Sequence, residues 1–133
     1  MILVVGSLMG FFSVAFGALS EHILRPDVSA ENFRFLVTAL RYNQVNAVAT
    51  IAIGLALLCS PRLNVRTLRW SGWLFIVATL LFSFSIYTSV ATGIEVILYA
   101  TPVGGLINMV AWLMLAKVGL SAVNLIDKSS STD

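Results

Sequence analysis

Few residues in this chain are of a type that does chemistry. Glu21, His22 and Arg41 are titratable, and Asn43, Asn46, Ser83, Tyr87 and Asn108 add amides and hydroxyls. A carboxylate, an imidazole and a guanidinium around one polar pocket would bind a polar ligand or pass protons. A simpler arrangement joins Glu21 and Arg41 as an ion pair between two helices. No serine sits in a G-x-S-x-G elbow, and no acid, base and nucleophile stand at a recognisable spacing. The single cysteine, Cys59, and the single histidine are too few for a metal centre. No nucleotide, haem or iron–sulfur motif is present, so neither an enzyme nor a bound cofactor is expected.

The elements that must position these residues are read from the apolar sequence around them. Hydrophobic residues make up 59% of the 133 and charged residues 11%, against about 25% charged in an ordinary soluble domain. A soluble protein of this size lacks the interior to hide so much apolar surface. Uncharged stretches run from Met1 to Ser20, Tyr42 to Ser60, Trp70 to Ile94 and Val96 to Ala116. Each approaches or exceeds the roughly 20 residues a helix needs to cross the hydrocarbon core. Runs such as Leu74 to Phe84 are too continuously apolar for the alternating strands of a membrane barrel.

The expected fold is therefore all-α, an integral membrane bundle of four transmembrane helices. Residues 1–121 form this domain and 122–133 a polar, disordered tail. No Lys or Arg precedes the first apolar run, which is longer than a signal core, so it is read as a retained helix. Between the first two spans, Ser29 is a plausible N-cap. After it Glu31, Arg34, Thr38 and Arg41 repeat on one side, with Phe33, Leu36, Val37 and Leu40 on the other. That pattern predicts a short amphipathic helix lying at the membrane surface, the alternative being a polar, extended start to helix two.

Small residues at helical spacing mark the packing faces: Gly6, Gly10, Ser13 and Gly17 in the first helix, and Ala47, Thr50 and Gly54 in the second. Gly72 and Thr79 follow in the third, and Gly104, Gly105 and Ala111 in the fourth. In lipid such faces, together with interhelical hydrogen bonds, hold helices to one another. Arg62, Arg66, Arg69, Lys117 and Lys128 fall on one side of the membrane, and Arg25, Arg34 and Arg41 on the other. This excess predicts both termini in the cytoplasm of a bacterium, with the protein in the inner membrane. Asn43, Asn46, Ser83, Tyr87 and Asn108 then occupy the outer half of the bilayer, as structural hydrogen bonds or as a shallow outward pocket rimmed by Glu21, His22 and Arg41. Arg62, Arg66 and Arg69, beside Trp70 and Trp73, are placed to meet lipid headgroups. The net charge of +2 is too small to point to nucleic acid.

Several blocks carry a resemblance: LFSFSIY (Leu81 to Tyr87), ATG (Ala91 to Gly93), TPVGGL (Thr101 to Leu106) and WLMLA (Trp112 to Ala116), and more loosely FGALSEHIL (Phe16 to Leu24) and TALRYNQVNAVA (Thr38 to Ala49). Together they resemble the YgdD-like family of small four-helix membrane proteins, family 423 among domains of unknown function, with mitochondrial relatives. Where that family has a Gly-Ala-His turn, Leu19 follows Gly17 and Ala18 here, and Asn46 stands at a position typical of histidine. The resemblance implies fold and location rather than an activity. The expected function is that of a non-enzymatic accessory or assembly subunit, packing against a larger membrane complex, respiratory for example, or against further copies of itself. The alternative is a small transporter, channel or lipid-binding protein using the outer polar pocket.

Overall fold

The structure is a computed structural model that describes residues 1–59 and 64–130, with side chains to Asn124. Four helices are long and apolar enough to cross a membrane. Helix α1 spans Ile2–Leu19 and ends in a π-helical turn, Ser20–Leu24. Helix α2 spans Ala30–Cys59. Helix α3 spans Val65–Thr92, interrupted by a π-helical turn at Leu80–Phe84. A 3-10 turn, Glu95–Tyr99, leads into α4, Ala100–Ser130.

The helix ends follow from local chemistry. The Ser29 hydroxyl accepts from the Asn32 amide at 3.1 Å, so Ser29 is the N-cap the sequence predicts. Asn64 does the same for α3, accepting from the Thr67 amide at 3.1 Å. Gly93 closes α3 with φ +74°, a left-handed conformation that glycine adopts without a Cβ penalty.

Two expectations need correction. The short surface helix is not a separate element, because Ala30–Cys59 is one uninterrupted helix. No proline or glycine falls between Ser29 and Ile53, so nothing breaks the helix where the polar pattern gives way to the apolar one. Its early turns are also anchored in the bundle, with Leu36 and Ala39 fully buried. Helix α4, in turn, continues to Ser130, into the segment read as a disordered tail. That segment holds no glycine or proline to stop it.

Helix α1 lies along α2 and α4 lies along α3, forming two antiparallel hairpins joined through α2 and α3. Helix α3 is the centre: half of its most apolar stretch is buried, against 17% for the span containing α4. The bundle is thus less closed than four mutually facing stripes suggest, because α4 packs on α3 and makes no extensive contact with α1 or α2.

The glycines sort by how tightly backbones meet. A Cβ on Gly54 would lie 2.7 Å from the Leu3 backbone, and one on Gly6 would lie 3.0 Å from the Ile51 amide nitrogen. On Gly104 it would lie 2.6 Å from the Phe82 nitrogen, within the π-helical turn of α3. Gly72 meets Ile2 and Ile53 side chains at about 3 Å. By contrast Gly10, Gly17 and Gly105 sit at ordinary contact distances, so the spacing marks the right faces but only some of the close crossings. Ser13 and Ala47 are buried between α1 and α2.

Substituting Gly104 with alanine is expected to destabilise the protein by about 1–3 kcal/mol through backbone overpacking. A Cβ on Gly119 meets nothing within 4 Å, so Gly119→Ala should be neutral or stabilising by up to about 1 kcal/mol. Chemical unfolding in detergent micelles, followed by circular dichroism, distinguishes the two.

Candidate functional site in the bundle interior

The π-helical turn of α3 brings the polar side chains together. At this turn α3 presents hydroxyls to both of its neighbours. Ser83 donates to the Ala39 carbonyl of α2 at 2.8 Å. Ser85, two residues on, lies 2.9 Å from the Thr101 hydroxyl at the start of α4 and donates to the Phe82 carbonyl at 2.9 Å. Farther along α3, Ser71 donates to the Ala111 carbonyl of α4 at 2.9 Å.

Helix α2 supplies the amides. Asn46 donates through Nδ2 to Thr79 Oγ1 at 3.0 Å, and Thr79 passes its own proton to the Phe75 carbonyl at 2.9 Å. Thr50 donates to the Asn46 carbonyl at 2.7 Å. Asn43 reaches the Tyr87 hydroxyl at 3.5 Å, a long contact. The Tyr87 ring stacks on Phe16 of α1 with centroids 4.2 Å apart and meets Phe84 edge-on. Asn43, Asn46, Ser83, Tyr87 and Asn108 are thus all buried, as polar residues within a span should be.

The titratable residues are elsewhere. Glu21, His22 and Arg41 are exposed, whereas the amides are buried. Glu21 pairs with Arg25, one helical turn away, at 2.7 Å, and not with Arg41. The continued helical path through Ser20–Leu24 puts Arg25 four residues from Glu21 on the same helix, closer than any partner on α2. Both members are exposed, so the pair contributes about 0–1 kcal/mol. Arg66 and Arg69 are exposed on the first turns of α3 beside Trp70 and Trp73, while Arg62 lies outside the described residues.

The interior is therefore an assembly of amides, hydroxyls and aromatic rings with no carboxylate or imidazole among its described members. Its amides and hydroxyls can form hydrogen bonds with one another and with neighbouring backbone carbonyls. Among the described residues, five buried polar atoms have no protein partner: the hydroxyls of Ser13 and Ser20 and the Oδ1 atoms of Asn43, Asn46 and Asn108. Ser71, Ser85 and Thr101 carry as much of this network as Thr79 and the other residues singled out from sequence. For Ser71 and Ser85 the signal was the recurrence of hydroxyls among apolar residues along α3.

Residues 16–105, which include every member of this network except Ser13, Asn108 and Ala111 and contain the whole π-helical turn, match the family described as "Protein of unknown function (DUF423)". The chain belongs to this family. The UPF0382 membrane protein of Haemophilus influenzae is 34% identical over 110 residues, covering 83% of this chain and 86% of that protein. A UPF0382 membrane protein of Staphylococcus saprophyticus is 32% identical over 113 residues, covering 85% and 91%. The UPF0382 inner membrane protein YgdD of Escherichia coli K12 is 28% identical over 113 residues, covering 85% and 84%. No solved structure matches the chain. As a member of the DUF423 family it is a membrane protein, and the blocks that carried the resemblance meet in space. Gly104 of TPVGGL rests on the Phe82 backbone of LFSFSIY, and Phe16 of the first block stacks on Tyr87.

If the amides serve to tie helices together, Asn46→Ala should cost about 0.6–1.7 kcal/mol, with most of it recovered as coupling to Thr79→Ala in a double-mutant cycle. Arg41→Ala should stay within about 0.5 kcal/mol, as expected of an exposed side chain. Unfolding titrations of the parent, the three variants of the cycle and Arg41→Ala in one detergent supply both comparisons.

Proposed function

We propose that this protein is a non-enzymatic accessory or assembly subunit that packs against a larger partner in the bacterial inner membrane, both termini facing the cytoplasm. The observation that carries this reading is the groove between α2 and α4. Because α4 packs on α3, it leaves an opening of about 780 Å³ facing α2. Small residues line it on both sides, Ala49, Ala52 and Ala56 from α2 and Gly119 and Ala122 from α4. Side chains of this size permit close approach by a further helix. At one end stands Gln44, exposed, whose amide an acyl chain cannot satisfy but a polar group on a partner helix can.

The surroundings support the same reading. The described part of the chain devotes almost all of its length to membrane-crossing helices and their short turns, so it offers little soluble surface for a substrate. The distribution of Lys and Arg supports the orientation, and the named location of the YgdD relative supports the compartment. The transporter alternative finds less support: the interior amides face neighbouring helices, and the three titratable candidates face outward.

A photo-crosslinking residue at Val48, which lines the groove, should give a discrete protein adduct in native membranes. The same residue at Val14, exposed on α1, should not. Identical lipid-only labelling at both positions would remove the basis for a partner at this face.

A further inference from the structure

At the membrane end where α3 begins, positive charge stands without a described negative partner. Arg66 and Arg69 occupy the first turns of α3, both exposed, and neither joins an ion pair among the described residues. The carboxylates with described side chains, Glu21, Asp27, Glu31 and Glu95, all lie at the opposite end, in or beside the turns that follow α1 and α3. Three residues apart on a helix, the two guanidinium groups share a face.

That face is shaped on both sides of Arg69. With Val65, Arg66, Trp70 and Trp73 it forms a depression of about 620 Å³. Arg69 and Trp73 also line a second groove of about 410 Å³, walled by Leu3 and Val4 of α1 and Leu57 and Leu58 of α2. This second groove includes Gly54, which meets the Leu3 backbone closely enough to seal α1 against α2 at that point. One guanidinium thus stands between a basic, tryptophan-lined depression at the interface and an aliphatic cleft running into the bilayer.

We propose that this end of the bundle binds an anionic phospholipid, its phosphodiester held by Arg66 and Arg69 and one acyl chain lying in the cleft beneath Arg69. A planar guanidinium matches phosphate oxygens in paired hydrogen bonds, which a lysine does not reproduce. The indole rings of Trp70 and Trp73 suit the headgroup level, where an apolar body and a polar N–H are both satisfied. A zwitterionic headgroup offers the same phosphodiester but brings its own cation against the second arginine, so the site discriminates by net charge. This proposal rests on a different surface from the groove between α2 and α4 and stands apart from the partner proposed there.

Brominated lipids quench nearby tryptophan, so the protein reports on its own site. The full chain carrying Trp112→Phe, leaving Trp70 and Trp73 as the fluorophores, is placed in vesicles of phosphatidylcholine with increasing phosphatidylglycerol, one lipid brominated at a time. Phosphatidylglycerol should be preferred about fivefold or more, since each arginine near an anionic surface contributes about that factor. Arg66→Gln and Arg69→Gln should each cut the preference several-fold, and the double variant should abolish it. Both positions are exposed, so each variant should elute as the parent does in size-exclusion chromatography. Equal quenching by the two lipids, or a preference surviving the double substitution, would overturn the proposal. Loss of the preference on adding millimolar inorganic phosphate would also overturn it, assigning the arginines to a soluble anion instead.

Discussion

The seating of α4 on the backbone of α3 governs the rest of this structure. Inside a bilayer helices gain little by hiding apolar surface from one another, so their arrangement is set by close backbone approach and by polar groups that lipid cannot satisfy. Both conditions meet at the π-helical turn Leu80–Phe84. There Gly104 allows α4 to rest directly on the Phe82 nitrogen, while Ser83 bonds to α2 and Ser85 to α4. Two residues apart on a helix, these serines point in nearly opposite directions and so address opposite neighbours.

From this point the rest of the bundle is stabilised in two different manners. Around the turn, contacts are polar and aromatic: Asn46 to Thr79, Asn43 to Tyr87, Tyr87 on Phe16. Toward the end that carries Arg66 they become aliphatic, with Ile2, Ile53, Leu68 and Val118 in one cluster and Phe75 meeting Trp112 edge-on. The two hairpins stay joined along α2 and α3, while α4 stands apart from α2 across an open groove.

Much of this was legible in the sequence, and the exceptions have physical causes. Four uncharged stretches fixed the number of helices, and Ser29 marked the start of α2 through its capping hydroxyl. Small residues at helical spacing named the packing faces, yet they could not separate Gly6 and Gly54 from Gly10 and Gly17, because crossing angle decides which glycine meets a backbone. The π-helical turn left no trace in periodicity, since it depends on the helix it receives. The ion pair went to Arg25 instead of Arg41 because the path of the chain beyond Leu19 stays helical, a choice that no charge pattern encodes. Polar residues within the spans were recognised as a group from the sequence, and they are buried, whereas Glu21, His22 and Arg41, grouped with them there, are exposed.

The central position of α3 also sets an order of events during synthesis. Helices α1 and α2 contain the first antiparallel contact, sealed by Gly6 and Gly54, and can pair before the rest of the chain has left the ribosome. The amides of α2 must then wait for α3, because Thr79 and Tyr87 are their partners. Helix α4 has almost nothing to pack on until α3 is in place, so it joins last and onto an existing platform. Until α3 is in place, the amides of Asn43 and Asn46 have neither Tyr87 nor Thr79 to bond to and would face lipid that cannot satisfy them.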